Sequence, residues 1–316
     1  MAKLAFVFPG QGSQEIGMLQ DMSGTGSRGA SVAETFAEAS AVLGYDLWQL
    51  IQQGPEDQLN QTEFTQPALL TASVALWRVA QQQGLPNVDL VAGHSLGEYS
   101  ALVAAGVIAF GDAVRLVQQR GQFMQSAVPV GEGGMAAVLG LDDAQVSSIC
   151  RAISTPGNVV QAANYNSPGQ VVIAGTNVAL ADAIEACKAA GAKRAMALSV
   201  SAPFHSALMQ PAADSMAEAL NGINFQVPAI DIIQNVDAQY ARDPALIREN
   251  LVKQMYSAVQ WTQTVQRMAA DGVTVMVECG PGKVLAGLNR RIDKSLTSHS
   301  INSAASLEQV CMELSQ

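Results

Sequence analysis

A chain of 316 residues that is 49% hydrophobic and only 14% charged can bury one large core, or a large and a small one, and is neither disordered nor coiled-coil. Its formal charge of −10 argues against a nucleic-acid partner, and an acidic chain that handles an anionic substrate must concentrate its few cations at one site. Cys150, Cys187, Cys279 and Cys311 lie far apart with no metal-ligand spacing, which reads as buried, reduced thiols in a reducing cytoplasm and no metal centre.

The apolar run over residues 3–8 reads as a buried strand. Pro9-Gly10-Gln11-Gly12-Ser13 ends it as a tight loop, too early for a signal-peptide core or a membrane span. Gly24-Thr25-Gly26-Ser27-Arg28-Gly29 matches the dinucleotide fingerprint letter by letter, but it follows a polar segment instead of a strand, so it reads as a surface loop before a late-starting helix. Helical spacing over residues 31–43 and 66–83, the second with Pro67 in its first turn, carries the chain to a short apolar strand at 89–92. There Gly93-His94-Ser95-Leu96-Gly97 sets a serine between two glycines where strand gives way to helix. Such an elbow strains the serine backbone and exposes its hydroxyl at a helix N-terminus, where N–H groups and the dipole favour an acyl-transfer oxyanion. As a bare pattern it also fits a serine that merely caps a helix. A further helix runs from Gly111 to about Ser126.

The pattern then changes. Strands at 135–139, 159–164, 170–174 and 193–198 and helices at 142–153 and 178–190 follow a β-α-β-β-α-β order, that of a ferredoxin-like lobe. Elements of the first kind resume with helix 207–220, strand 230–234, helices 248–255 and 261–270, strand 273–278, the turn Cys279-Gly280-Pro281-Gly282 and a helix to Ile292. The expected architecture is α/β: a large α/β-hydrolase-like lobe with a parallel sheet (1–128 and 199–316) and a small inserted ferredoxin-like lobe (129–198). Ligands should bind at the carboxyl ends of the large sheet's strands, where Gln11, Ser95 and Gly280 fall.

A serine nucleophile needs a base, and the chain has 3 histidines. His94 adjoins the serine on a strand end and reads as structural, while His299 sits on a short late strand or tail. His205, in the loop Ser201-Ala202-Pro203-Phe204-His205-Ser206 at the return from the small lobe, is the candidate base. No acid falls between serine and a late histidine, as it would in a hydrolase, but a carbonyl or amide acceptor would fix the imidazole tautomer equally well. Arg120 shares the apolar stripe of its helix with Leu116, Val117, Phe123 and Met124, whereas Arg115 does not. A buried guanidinium must be paired, either with a distant carboxylate of the chain or with one that arrives on the substrate.

Phe8-Pro9-Gly10-Gln11-Gly12-Ser13, Gly93-His94-Ser95-Leu96-Gly97-Glu98-Tyr99, Gln119-Arg120-Gly121, Asn166-Ser167-Pro168-Gly169-Gln170, Phe204-His205 and Glu278-Cys279-Gly280-Pro281-Gly282 occur in an order that resembles the malonyl-CoA:acyl carrier protein transacylases of bacterial fatty-acid synthesis. The resemblance covers nearly the whole chain and departs from the family mainly at the glycine-rich 24–29 segment. It implies that Ser95 becomes malonylated, that His205 serves as its base and later activates the carrier thiol, and that Arg120 holds the malonyl carboxylate. It also implies an oxyanion hole from the backbone N–H groups of Gln11 and Leu96, and a histidine oriented by the main-chain carbonyl of Gln254, matched through Leu251-Val252-Lys253-Gln254. Phe204 beside the histidine resembles the malonyl-selective members, leaving little room for a methyl branch.

The resulting expectation is a cytoplasmic, monomeric ping-pong acyltransferase with malonyl-CoA and holo acyl carrier protein as partners, no cofactor, no nucleic acid and no membrane. Arg290, Arg291 and Lys294, or Lys188, Lys193 and Arg194, are candidate carrier-facing cations, though each cluster also fits a solvated element end. The rivals are a thioesterase or esterase on the same elbow, which would have no carboxylate for Arg120 to hold, a non-catalytic carrier-binding module, and a transferase of the same family that prefers methylmalonyl or another extender.

Overall fold

The computed structural model describes residues 3–24, 26–129, 131–200 and 202–314; Thr25 of the glycine-rich segment and Ser201 of the histidine loop lie outside these. Its strands are β1 (Lys3–Phe8), β2 (Leu90–Gly93), β3 (Gly133–Leu139), β4 (Val160–Ser167), β5 (Gln170–Thr176), β6 (Arg194–Ala197), β7 (Asp231–Ile232), β8 (Val273–Cys279) and β9 (Thr297–Ile301). The larger sheet has the order β7-β2-β1-β8-β9, with every neighbouring pair parallel. The smaller sheet, β4-β5-β3-β6, is antiparallel throughout. Counted within the small lobe its order is second-third-first-fourth, the ferredoxin-like arrangement.

In β1, Leu4 to Phe8 are all buried, as a central strand covered on both faces requires. The helix Thr62–Gln82 packs into the same core and is buried nearly all round, so its apolar residues do not form a single stripe. The lobes are tied by main chain: the Val259 N–H donates to Ala163 O and the Tyr165 N–H to Val259 O, both at 2.9 Å, which joins a loop of the large lobe to β4. No described helix is long and apolar enough to cross a membrane.

Several element ends differ from the sequence reading. The first long helix is Ser27–Leu43, so it starts inside the glycine-rich segment instead of after it; a short 3-10 turn, Gln20–Met22, and no strand precedes it. Pro67 lies inside Thr62–Gln82, beyond its first turn, because tertiary packing extends the helix N-terminal to the proline. His299 is on β9, a full member of the large sheet paired with β8, and a helix Ala304–Leu314 follows it. Helices Leu47–Gln53 and Glu56–Leu59 carry too few residues for periodicity to declare them.

Candidate active site

Phe8 and Gly93 are register partners at the carboxyl ends of β1 and β2, so the two loops that leave these strands start side by side. The His94 N–H donates to Phe8 O at 3.0 Å and locks them together. A Cβ on Gly93 would collide with the Gly97 carbonyl, and one on Gly97 with the Phe8 carbonyl, so the elbow closes only with hydrogen at both positions. Ser95, at the apex, has φ +52, and the helix Gly97–Ala104 begins directly behind it. A non-glycine residue in left-handed geometry costs about 1–2 kcal/mol, a strain that the elbow's contacts must hold.

His205 arrives from the loop after the small lobe, also at positive φ (+59), and is 3% exposed. Its Nε2 lies 2.7 Å from Ser95 Oγ and its Nδ1 2.8 Å from the main-chain oxygen of Gln254. A carbonyl only accepts, so Nδ1 carries the proton and Nε2 is free to accept the serine proton. Burial, reinforced by the nearby Arg120 charge, pushes the imidazole pKa down to about 3, so it stands neutral as a base.

Arg120, from the helix Phe110–Ser126, is 1% exposed. Its Nη2 donates to Ser95 Oγ at 3.2 Å and to Gln254 Oε1 at 2.7 Å, and its Nη1 to Gln66 Oε1 at 2.9 Å. Among the described residues no carboxylate contacts it and its Nε–H has no partner. Burial lowers its pKa from the ordinary arginine value, and the face of Tyr99 lies 5.4 Å from the guanidinium carbon. Gly121 lets this helix close on the start of Thr62–Gln82, whose backbone a Cβ there would press, and so brings Gln66 to Arg120.

A buried polar network supports these groups. Asn235 takes the Ser95 N–H on Oδ1 at 2.7 Å and donates from Nδ2 to Gly93 O at 2.6 Å. Gln254 donates from Nε2 to Ser95 O at 3.1 Å and to Glu98 Oε2 at 2.9 Å. In front of the serine opens a cleft of about 620 Å³ between the lobes, walled by Gln11, His94, Asn166, Met135, Val200 and Phe204. A serine hydroxyl and a neutral imidazole in contact, beside a buried cation with unused N–H groups, have the chemistry that acyl transfer on a negatively charged group requires.

The acyl transferase domain family matches residues 5–310 of the chain. The malonyl CoA-acyl carrier protein transacylase of Salmonella typhimurium is 59% identical over 307 residues, which cover 97% of this chain and 98% of that protein. The chain belongs to the malonyl CoA-acyl carrier protein transacylase family. An acyl carrier protein S-malonyltransferase from Vibrio cholerae has a similar structure, with a TM-score of 0.95 at 54% identity over 98% of this chain and 100% of that one. A malonyl-transacylase solved in complex with its type II PKS acyl-carrier protein gives a TM-score of 0.96 at 52% identity, over 99% of this chain and 100% of that one. Members of the family are acyltransferases, and this chain is an acyltransferase.

The structure brings Ser95, His205, Arg120 and Gln254 into direct contact. Gln11 and Leu96 line the same cleft, and neither backbone N–H donates to another described residue. His94 lines the cleft too, with Nε2 2.8 Å from Asn166 Oδ1, and burial lowers its pKa. Gly280 is not in the cleft wall; it packs beneath Pro9, where a Cβ would strike the proline ring, and so shapes the first loop from behind. Among the surface cations, Arg291 reaches Gln170 of the cleft wall at 2.8 Å, Arg290 turns to Ser298 O and Lys188 pairs with Glu185. Gln66, Asn235 and Glu98 join the site without belonging to any role the sequence motifs imply. Of these only Glu98 left a signal, a carboxylate inside an otherwise apolar helical run just after the elbow.

Proposed function

We propose that this chain transfers the malonyl group from malonyl-CoA to the phosphopantetheine thiol of an acyl carrier protein, by a ping-pong mechanism through a malonyl-Ser95 ester, and so supplies fatty-acid synthesis. The observation that carries the reading is the buried Arg120 guanidinium, 3.2 Å from the nucleophile oxygen and without a carboxylate partner among the described residues. The malonyl carboxylate completes it.

In the first half-reaction Ser95 Oγ attacks the thioester carbonyl as its proton passes to His205 Nε2. The Gln11 and Leu96 N–H groups receive the developing oxyanion. As the C–S bond breaks, the imidazolium returns that proton to the departing coenzyme A sulfur, leaving a neutral histidine. In the second half the carrier's thiol gives its proton to His205, its sulfur attacks the ester, and Ser95 Oγ recovers the proton. The Gln254 carbonyl orients the imidazole by accepting a hydrogen bond from Nδ1–H, which keeps its proton throughout. Phe204 beside the base favours unbranched malonyl over methylmalonyl. The division into lobes at 129 and 198, a cytoplasmic setting and a monomeric state belong to the same reading.

Intact-protein mass after mixing with malonyl-CoA or acetyl-CoA tests it. A malonyl adduct that is lost in Ser95→Ala supports the reading, provided Arg120→Ala loses malonyl but keeps acetyl. Steady thioester hydrolysis without an adduct would instead point to a thioesterase, and no reaction at all to a carrier-binding module.

A further inference from the structure

Glu98 lies in the first turn of the elbow helix, fully buried, and takes no part in the steps above. Three N–H groups meet its carboxylate: Gln234 Nε2 on Oε1 at 3.0 Å, and the Asn235 N–H and Gln254 Nε2 on Oε2 at 3.0 and 2.9 Å. Every one of these partners is a donor. A carboxylate accepts them all, whereas a carboxylic acid would have an O–H to place among N–H groups. Two of the donors belong to residues that hold the reacting groups. Gln254 grips Arg120 through Oε1 and His205 through its main-chain oxygen. Asn235 holds the Ser95 N–H and, through Gly93 O, the end of β2.

An amide side chain can turn over unless its neighbours tell oxygen from nitrogen. An acceptor-only neighbour does that: it draws Gln254 Nε2 inward and leaves Oε1 for Arg120. The charge has a second use. A carboxylate in direct contact with Arg120 would have to be displaced by every incoming acyl carboxylate. One placed behind Gln254 balances the buried cation and leaves its free N–H groups open.

We propose that Glu98 is a positioning residue of the acyl-transfer site: its ionised carboxylate fixes Gln254 and Asn235, and through them His205, Arg120 and the strained Ser95 backbone. Burial pushes the Glu98 pKa up to about 7, against the pull of its three donors and of Arg120. Arg120 from the neighbouring helix and Tyr99 from its own are the titratable groups coupled to it; Gln234, Asn235 and Gln254 present only amides. The base stays neutral across this range, with a pKa of about 3. Ser95 reactivity should therefore fall as the pH drops through about 7 because Glu98 takes a proton, not because His205 does.

The inference rests on the Ser95–His205 chemistry proposed above but not on the identity of the acyl group, so two reagents test it. Modification of Ser95 by malonyl-CoA and by phenylmethylsulfonyl fluoride is followed by intact mass between about pH 5.5 and 8.5. For both reagents the native protein should slow below about pH 7, and Glu98→Gln should be about 10- to 100-fold slower above it and lose the inflection. Gln234→Met removes one donor from the carboxylate without touching a reacting group, so the inflection should move to higher pH, a shift that titration of His205 would not produce. A folded Glu98→Gln protein with native rates or the native inflection overturns the proposal. If that variant does not fold, an unmoved inflection in Gln234→Met overturns it alone. Failure of malonyl-CoA to acylate the native protein, with sulfonylation behaving as stated, counts against the malonyl reading and leaves the role of Glu98 supported.

Discussion

Replacing Arg120 by alanine separates the two tasks that the geometry gives this residue. Of the five N–H groups of a guanidinium, the Nη2 pair and one on Nη1 are engaged by Ser95, Gln254 and Gln66, which leaves Nε–H and the second Nη1–H on different edges of the group, so that an incoming carboxylate can take one of them. A hydrogen bond to a charged group contributes about 1.5–3 kcal/mol, or about 10- to 100-fold in kcat/KM. Arg120→Ala should lower kcat/KM for malonyl-CoA by at least about 10-fold. For acetyl-CoA, which brings no carboxylate, the loss is confined to the contacts with Ser95 Oγ, Gln254 and Gln66, none of which is made to the substrate, so the change should be much smaller. Arg120→Lys should recover part of the malonyl rate, because a point charge cannot fork between Gln66 and Gln254 while facing the substrate. The assay is the rate of acyl-enzyme formation from each thioester, by rapid quench and intact mass. An Arg120→Ala protein whose malonyl-to-acetyl preference matches the native one would refute the assignment, whatever the absolute loss.

The other predictions concern the elbow and the base. Ser95→Gly should be more stable than Ser95→Ala by about 1 kcal/mol in urea unfolding, since both lack the hydroxyl but only glycine sits at φ +52 without strain. Gly97→Ala should cost about 3 kcal/mol in the same assay and slow acylation, because the added methyl meets the Phe8 carbonyl and forces the two site loops apart. For His205 the native pKa of about 3 lies below the unfolded value of 6.5, so its contribution to stability is complete above pH 6.5 and is lost as the pH falls and the unfolded chain takes the proton. At pH 5 that loss amounts to about 2 kcal/mol, and His205→Ala should remove it from the difference between unfolding curves at pH 7 and pH 5.

Features written within a few residues are legible from the chain alone. The apolar runs of β1 and β2, the glycines on either side of Ser95, the Pro168-Gly169 turn between β4 and β5, and the helical stripe that turns Arg120 inward are each local patterns whose backbone consequences are local. Their order was enough to give the parallel large sheet and the inserted antiparallel one. Element ends are less legible: propensity places Pro67 in a helix's first turn, yet packing against neighbouring helices extends the helix N-terminal to it. The partners of the cleft residues are set by long-range folding. Asn235 meets a backbone 140 residues away, Glu98 and Gln254 are 156 apart, and Gln66 and Arg120 are 54 apart. A neutral amide has no periodicity and carries no charge to betray it, so its value appears only when folding removes water and leaves each buried donor and acceptor to be satisfied by whichever residue the fold has placed beside it.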